Sequence, residues 1–229
     1  MAWLPLESNP DVMNKFLTNL GMSTEKWQVS DVYGLDPDVL AIVPRPVLAL
    51  IMLFPCSDKY EEYKKEQEEE ITKKGQTVPG NLFFVKQYVH NACGTIALIH
   101  SIANNLDSIK LGDGHLKKYL DDAVKLSPDE RGHLLQNEVG IIDTHKELAQ
   151  EGQTAAPQPT DPVAYHFVAF VHHDGSLFEL DGRKSFPINH GSTTSDTLLE
   201  DAVKVVKQYI ERDPDTLQFT LVALAAANA

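Results

Sequence analysis

The chain carries two cysteines, Cys56 and Cys93, beside nine histidines. Cys93 stands where a polar stretch, Gln87-Tyr88-Val89-His90-Asn91, gives way to an apolar one with Ile96, Ala97, Leu98, Ile99, Ile102 and Ala103. Those apolar residues cover most sides of a helix, which predicts a largely buried helix whose first turn starts near Asn91 to Cys93. A thiol at that place faces unpaired backbone N–H groups and the positive end of the helix dipole, and both favour thiolate. Gly94 would let a substrate backbone approach closely. Gln87, six residues upstream, can offer a side-chain N–H to a developing oxyanion. Taken alone, the stretch fits a small buried cysteine packed as a hydrophobe equally well.

A second constellation lies downstream. Tyr165-His166-Phe167-Val168-Ala169-Phe170-Val171 is rich in aromatic and β-branched residues and predicts a strand; Leu177-Phe178-Glu179-Leu180-Asp181 predicts another, and Asp174-Gly175 between them is a turn signal. With a two-residue turn, His173 pairs with Ser176 and Val168 lies opposite Asp181. His166 then shares a face with Asp181 as a diagonal neighbour, within reach of long side chains. A three-residue loop would change the parity and separate them. With the shorter turn, Asp181 can orient His166 and His166 can deprotonate Cys93, the nucleophile, base and orienter of a cysteine hydrolase. Cys56 has no base beside it in sequence and is expected to pack structurally. The histidines show no metal-ligand spacing; His190, beside a glycine and beyond a proline, is expected in a loop and not as a ligand, and His172-His173 is expected to cap a strand, exposed and not catalytic.

These groups come from distant parts of the chain, so a folded core must assemble them. With 229 residues, 42% hydrophobic and 23% charged, the composition is that of an ordinary globular protein with ample material for a core. Val47 to Phe54, eight apolar residues without alternation, predicts a central strand buried on both faces. It is too short to span a membrane, and the N-terminus shows no signal-peptide pattern. Two cysteines make no disulfide framework, and reactive-thiol chemistry needs a reducing compartment; the cytoplasm is expected, with the nucleus as a second location. A net charge of -13 argues against nucleic acid and anionic membrane surfaces, and favours a basic partner. Further helices are expected after Asn9-Pro10, over Val39 to Val43, over Asp58 to Lys74, over Leu116 to Leu126, over Ser127 to Gln136 and over Thr197 to Arg212, with strands at Val29 to Tyr33 and Leu217 to Ala225 and a strand and turn at Ser185 to Gly191. Asp58 to Lys74 is so charged that a solvated helix is expected.

Three stretches carry a resemblance. Asn91-Ala92-Cys93-Gly94-Thr95, His166-Phe167-Val168-Ala169 and Glu179-Leu180-Asp181-Gly182-Arg183-Lys184 are similar to the ubiquitin C-terminal hydrolase family, and most of all to its small single-domain L-type isozymes. The similarity runs from Trp3-Leu4-Pro5-Leu6-Glu7 to the closing strand. It implies one catalytic domain over residues 1–229, of the α/β (α+β) class. The implied fold is papain-like, with a central, mainly antiparallel sheet flanked by helices and a knotted backbone. It implies Cys93 as nucleophile, His166 as general base, Asp181 as orienter and Gln87 as oxyanion donor, without metal or cofactor. Pro5, Leu6 and Phe219 would touch ubiquitin, although Pro5 and Leu6 serve equally well as cover for the core. A Pro- and Gly-containing segment from Glu151 to Pro162, inside a crossover loop of about 147–164, would lie over the active site as a lid; as a bare sequence it is a linker equally well.

The activity so implied is hydrolysis of small adducts and peptides from the C-terminal glycine of ubiquitin, or of a close ubiquitin-like protein, by a monomer. Two other classes stay open. One is a ubiquitin-binding protein that stabilises ubiquitin with little turnover. The other is an acyltransferase with the same Cys/His/Asp logic, disfavoured because no cofactor-binding motif is visible.

Overall fold

The computed structural model describes residues 3–153, 164–216 and 218–227. Strands β1 (Trp27–Asp31), β2 (Val47–Pro55), β3 (Tyr165–His173), β4 (Ser176–Leu180), β5 (Ile188–Ser192) and β6 (Thr220–Ala226) form one sheet in the order β1-β6-β2-β3-β4-β5. Every neighbouring pair is antiparallel. Helices cover both faces: α1 (Pro10–Asn19), α4 (Cys93–Ala103), α5 (His115–Ala123) and α7 (Val139–Leu148) contribute to one apolar cluster, and α8 (Leu198–Arg212) with the short α2 (Pro37–Leu40) to the other.

Alternate residues of the inner strands feed the two clusters. Ala49 and Ile51 of β2 face α4, whereas Leu50, Met52 and Phe54 face α8. This is why the segment reads as an unbroken apolar run: each face of a central strand has helices to satisfy. In β3, Phe167, Ala169 and Val171 go to the α4 side and Val168 and Phe170 to the α8 side. Local signals hold the helix starts. Asn9 caps α1, accepting from Asp11 N–H with Pro10 in the first turn, and Ser127 and Glu130 form a reciprocal capping box on α6 (Pro128–Leu135).

Several boundaries differ from the sequence pattern. The first strand is Trp27–Asp31, not Val29 to Tyr33, because Trp27 pairs with Ala226 and Val32 lies just past the ladder. The last strand begins at Thr220, and the short helix ends at Leu40. The strand after the hairpin is Ile188–Ser192, so His190 sits within a strand and not in a loop. Helix α7 is not signalled at all: Gly140, Ile141, Ile142 and Thr144 are poor helix formers, and Glu138 supplies no side-chain cap. Because α7 continues to Leu148, residues 147–148 belong to a helix and not to the expected loop. Most of the Glu151 to Pro162 segment lies outside the described residues.

Candidate active site

Cys93 is the first residue of α4, and Ala92 before it offers no capping side chain. The helix amides therefore meet the thiol and not a neighbouring oxygen. Two contacts fix the approach to this position. Asn91 adopts a left-handed backbone, φ 64°, which asparagine tolerates better than most residues. Its side-chain amide donates to Trp3 O at 2.8 Å, while Trp3 N–H donates to His90 O at 3.1 Å. The N-terminal arm thus ties down the residues just before the cysteine. Gly94 is buried, and a Cβ there would lie 3.2 Å from Leu6 and 3.3 Å from the Phe167 ring. In this structure Gly94 packs closely under the arm.

His166 and Asp181 come from the hairpin. His173 pairs with Ser176, and Asp174 and Gly175 both have positive φ, 46° and 76°, as a two-residue turn matched to the strand twist requires. Asp181 is one residue beyond β4, and His166 Nε2–H donates to its Oδ1 at 2.6 Å. That leaves Nδ1 of the ring for the cysteine, and the thiol and imidazole are hydrogen-bonded. Cys93, His166 and Asp181 are all buried. The histidine and aspartate stand on the α8 side of the sheet, beside Phe54, and the cysteine reaches them from the α4 side.

Electrostatics favours an ion pair. Burial pushes the Cys93 thiol up, but the hydrogen bond and charge of His166, with backbone hydrogen bonds at Phe167 and Gly94, outweigh it and hold the thiol below its ordinary value. For His166, burial favours the neutral ring; the charge and hydrogen bond of Asp181, then those of Cys93, reverse this and raise it to about 9. The Asp181 carboxyl is destabilised by burial, yet His166, Lys184 and Tyr60 together hold it well below the usual carboxylate range. Together these shifts favour a thiolate beside an imidazolium.

Gln87 lies at the same cleft. Its backbone N–H donates to Gly182 O at 2.8 Å, and a Cβ on Gly182 would come within 3.1 Å of Gln87 Cβ. The side-chain nitrogen spends one N–H on Val89 O at 3.0 Å, which leaves its second for another acceptor. The cleft, of about 410 Å³, is lined by Gln87, Cys93, His166, Tyr165, Arg183 and also Cys56. Cys56, expected from the sequence to pack structurally, therefore shares the cleft with Cys93. Arg183 Nη1 donates to its Sγ at 3.3 Å, and burial, against the pull of Arg183, pushes its thiol up to about 11.

Of the remaining sequence candidates, Leu6 is buried in the core cluster, Pro5 is half-buried, and Phe219 is half-buried against the α8-side cluster, away from the walls of the Cys93 cleft. His190 Nε2 bonds the buried Glu179 at 2.8 Å, and Glu179 also takes Lys184 at 2.5 Å and Tyr209 at 2.8 Å. Sequence reasoning missed this cluster, although Glu179 and Lys184 flank Asp181 in the motif. It also missed the inner face of α3 (Asp58–Lys74), whose Tyr60, Glu61, Gln67 and Glu68 bond Asp181, Arg183, Lys184 and the Ser185 backbone. Among the described residues no cluster of His, Cys, Asp and Glu could hold a metal ion, and no helix is long and apolar enough to cross a membrane.

A family model described as "Ubiquitin carboxyl-terminal hydrolase, family 1" matches residues 3–211. A ubiquitin carboxyl-terminal hydrolase of Drosophila melanogaster is 48% identical over 228 residues, covering 100% of this chain and 99% of the relative. The L1 isozyme of Rattus norvegicus is 43% identical, covering 99% and 100%. Among solved structures, the UCH37 catalytic domain of Trichinella spiralis bound to ubiquitin vinyl methyl ester has a TM-score of 0.78 and 25% identity, over 100% of this chain and 97% of that one.

Proposed function

The chain belongs to ubiquitin carboxyl-terminal hydrolase family 1, and from that premise we propose how its cleft works. It is a deubiquitinating cysteine hydrolase of papain-like fold. In the proposed reaction the Cys93 thiolate attacks the carbonyl of ubiquitin's C-terminal glycine. The oxyanion accepts from the second side-chain N–H of Gln87 and from the Cys93 backbone N–H; one such donor typically contributes about a hundredfold or more. His166 gives its proton to the leaving amine or thiol, leaving an acyl-enzyme. The neutral imidazole then takes a proton from water, and the resulting hydroxide displaces the Cys93 thiolate. Asp181 holds the ring and balances its charge throughout.

One observation carries this reading: the continuous buried chain from Cys93 through His166 to Asp181, with the 2.6 Å bond at its far end. The net charge of -13 supports a basic partner such as ubiquitin or a close ubiquitin-like protein. Pro5, Leu6 and Phe219 remain proposed contacts, with Leu6, at 4% exposure, offering ubiquitin little surface of its own. A monomer working in the cytoplasm, with the nucleus as a second location, fits unpaired thiols that need reducing conditions.

The test is hydrolysis of a fluorogenic amide at the ubiquitin C-terminus beside a direct measurement of ubiquitin affinity. Cys93→Ala is expected to lose turnover and keep affinity near that of the wild type. Turnover that survives in Cys93→Ala would sink the assignment. Tight binding without turnover in the wild type would instead mark a ubiquitin-storing protein.

A further inference from the structure

Asp181 lies just past the end of β4, where the strand ladder no longer fixes its side chain. Its Oδ1 takes two donors, His166 Nε2–H at 2.6 Å and Arg183 N–H at 2.8 Å. Its Oδ2 takes the hydroxyl of Tyr60, also at 2.6 Å, in a contact spanning 121 residues of sequence. Tyr60 is the one buried residue of α3 and stands in its first turn, where its backbone N–H donates to the capping Ser57. Its ring meets the edge of Phe54 at 4.8 Å and stacks on Tyr209 at 6.2 Å. Phe54 in turn packs on His166 at 5.8 Å.

The direction of the bond follows from its setting. An ionised carboxylate can only accept, so Tyr60 must donate. Burial first, then the Asp181 charge, hold the phenol well above its ordinary range, so the donor keeps its proton at any working pH. A carboxylate with one oxygen anchored can swing about its Cβ–Cγ bond, whereas one with both oxygens anchored cannot.

We propose that Tyr60 is a positioning residue of this site: its hydroxyl holds Oδ2 of Asp181 so that Oδ1 faces the His166 ring, and it acts on the reaction only through that carboxylate. The inference rests on the proposed function for its meaning, but not for its whole test. Besides His166, the charged and titratable groups that feel Asp181 are Lys184, Arg183, Cys56, His100 and Tyr209, and Tyr60→Phe replaces none of them.

Tyr60→Phe keeps the ring and its packing. It is expected to lower kcat on the ubiquitin amide by about 10- to 100-fold, the loss typical of one hydrogen bond to a charged group, with little change in KM. It should also move the acid limb of Cys93 alkylation to higher pH, because a loosened carboxylate holds the imidazolium less well. In an Asp181→Asn background the same substitution should add less than about twofold, since the group it acts through is already altered. Tyr209→Phe is the matched control: it removes an equally buried hydroxyl, bonded to Glu179 instead, and should lower thermal stability without moving the alkylation profile. Full multiplication of the Tyr60→Phe and Asp181→Asn effects would overturn the proposal. So would equal shifts of the profile in Tyr60→Phe and Tyr209→Phe. Alkylation needs no substrate, so a wild type inactive on ubiquitin would sink the proposed function and still leave this arm to decide on Tyr60.

Discussion

Two thiols share one cleft and differ in charge. Cys93 is held below its ordinary pKa by His166, while burial pushes Cys56 up to about 11 in spite of Arg183. Thiolate, not thiol, reacts with an alkylating agent. Iodoacetamide at pH 6 should therefore label Cys93 and spare Cys56, and mass spectrometry of the digested protein reads the ratio directly. Labelling of Cys56 alone at that pH would contradict the electrostatic account. Raising the pH should bring Cys56 into reaction only well above the ordinary thiol range of about 8.5. The residues of the site differ in how far they were legible. Cys93 announces itself by standing where a polar stretch meets an apolar helix, and His166 and Asp181 by the parity of a two-residue turn. Tyr60 gives no such signal, because a hydroxyl in a helix full of Glu and Lys looks like any other surface residue. The place of Cys56 in the cleft is equally silent, since it follows from the end of β2 lying beside the start of β3.

At the scale of elements, the charged helix α3 shows what composition can and cannot say. Its bounds and its ion pairs, such as Lys74 with Glu70, are as the pattern predicts. Its inner face is not, because Tyr60, Glu61, Gln67 and Glu68 all bond the segment from Asp181 to Ser185. Polar residues that hold a loop and polar residues that face water have the same hydropathy. The hairpin is the opposite case, since Asp174-Gly175 fixes both turn and register locally. Between α7 and β3 the sequence carries the segment that the family resemblance implies as a lid, and we propose that it limits access to the cleft, which Tyr165 just after it lines. A tether closed at both ends would pass a flexible tail and refuse a folded protein attached to it. Lengthening it is thermodynamically cheap, about 0.6 kcal/mol per doubling. Inserting ten Gly/Ser residues near Ala156 should leave turnover of small ubiquitin adducts within about twofold and raise cleavage of diubiquitin. Unchanged diubiquitin cleavage by a variant still active on small adducts would mean that substrate size is limited elsewhere.

For the whole molecule, the two-sided sheet was legible because unbroken apolar runs have few other uses, while the chain path that links its layers leaves no trace in composition. What the layers enclose sets the response to acid. His100 of α4 is stacked on Phe84 at 5.3 Å, and burial pushes its pKa down to about 3. His145 of α7 bonds Leu4 O at 2.6 Å and Thr95 at 2.8 Å, and burial pushes it down to about 4. Both are neutral when folded and take a proton near pH 6.5 when unfolded. Below that pH the unfolded chain binds more protons, so stability falls as pH falls, by about 1.4 kcal/mol per unit for each histidine. Urea unfolding should therefore show a plateau near neutrality and a steep loss toward pH 4.5, of which His145 accounts for roughly 3 kcal/mol over those two units. His145→Gln cannot take up a proton. It should be less stable at pH 7 for want of its contacts with the N-terminal arm, yet lose less on acidification, by about that amount. Parallel wild-type and variant curves between pH 7 and 4.5 would show that His145 titrates alike in both states and that its burial does not set the acid limit.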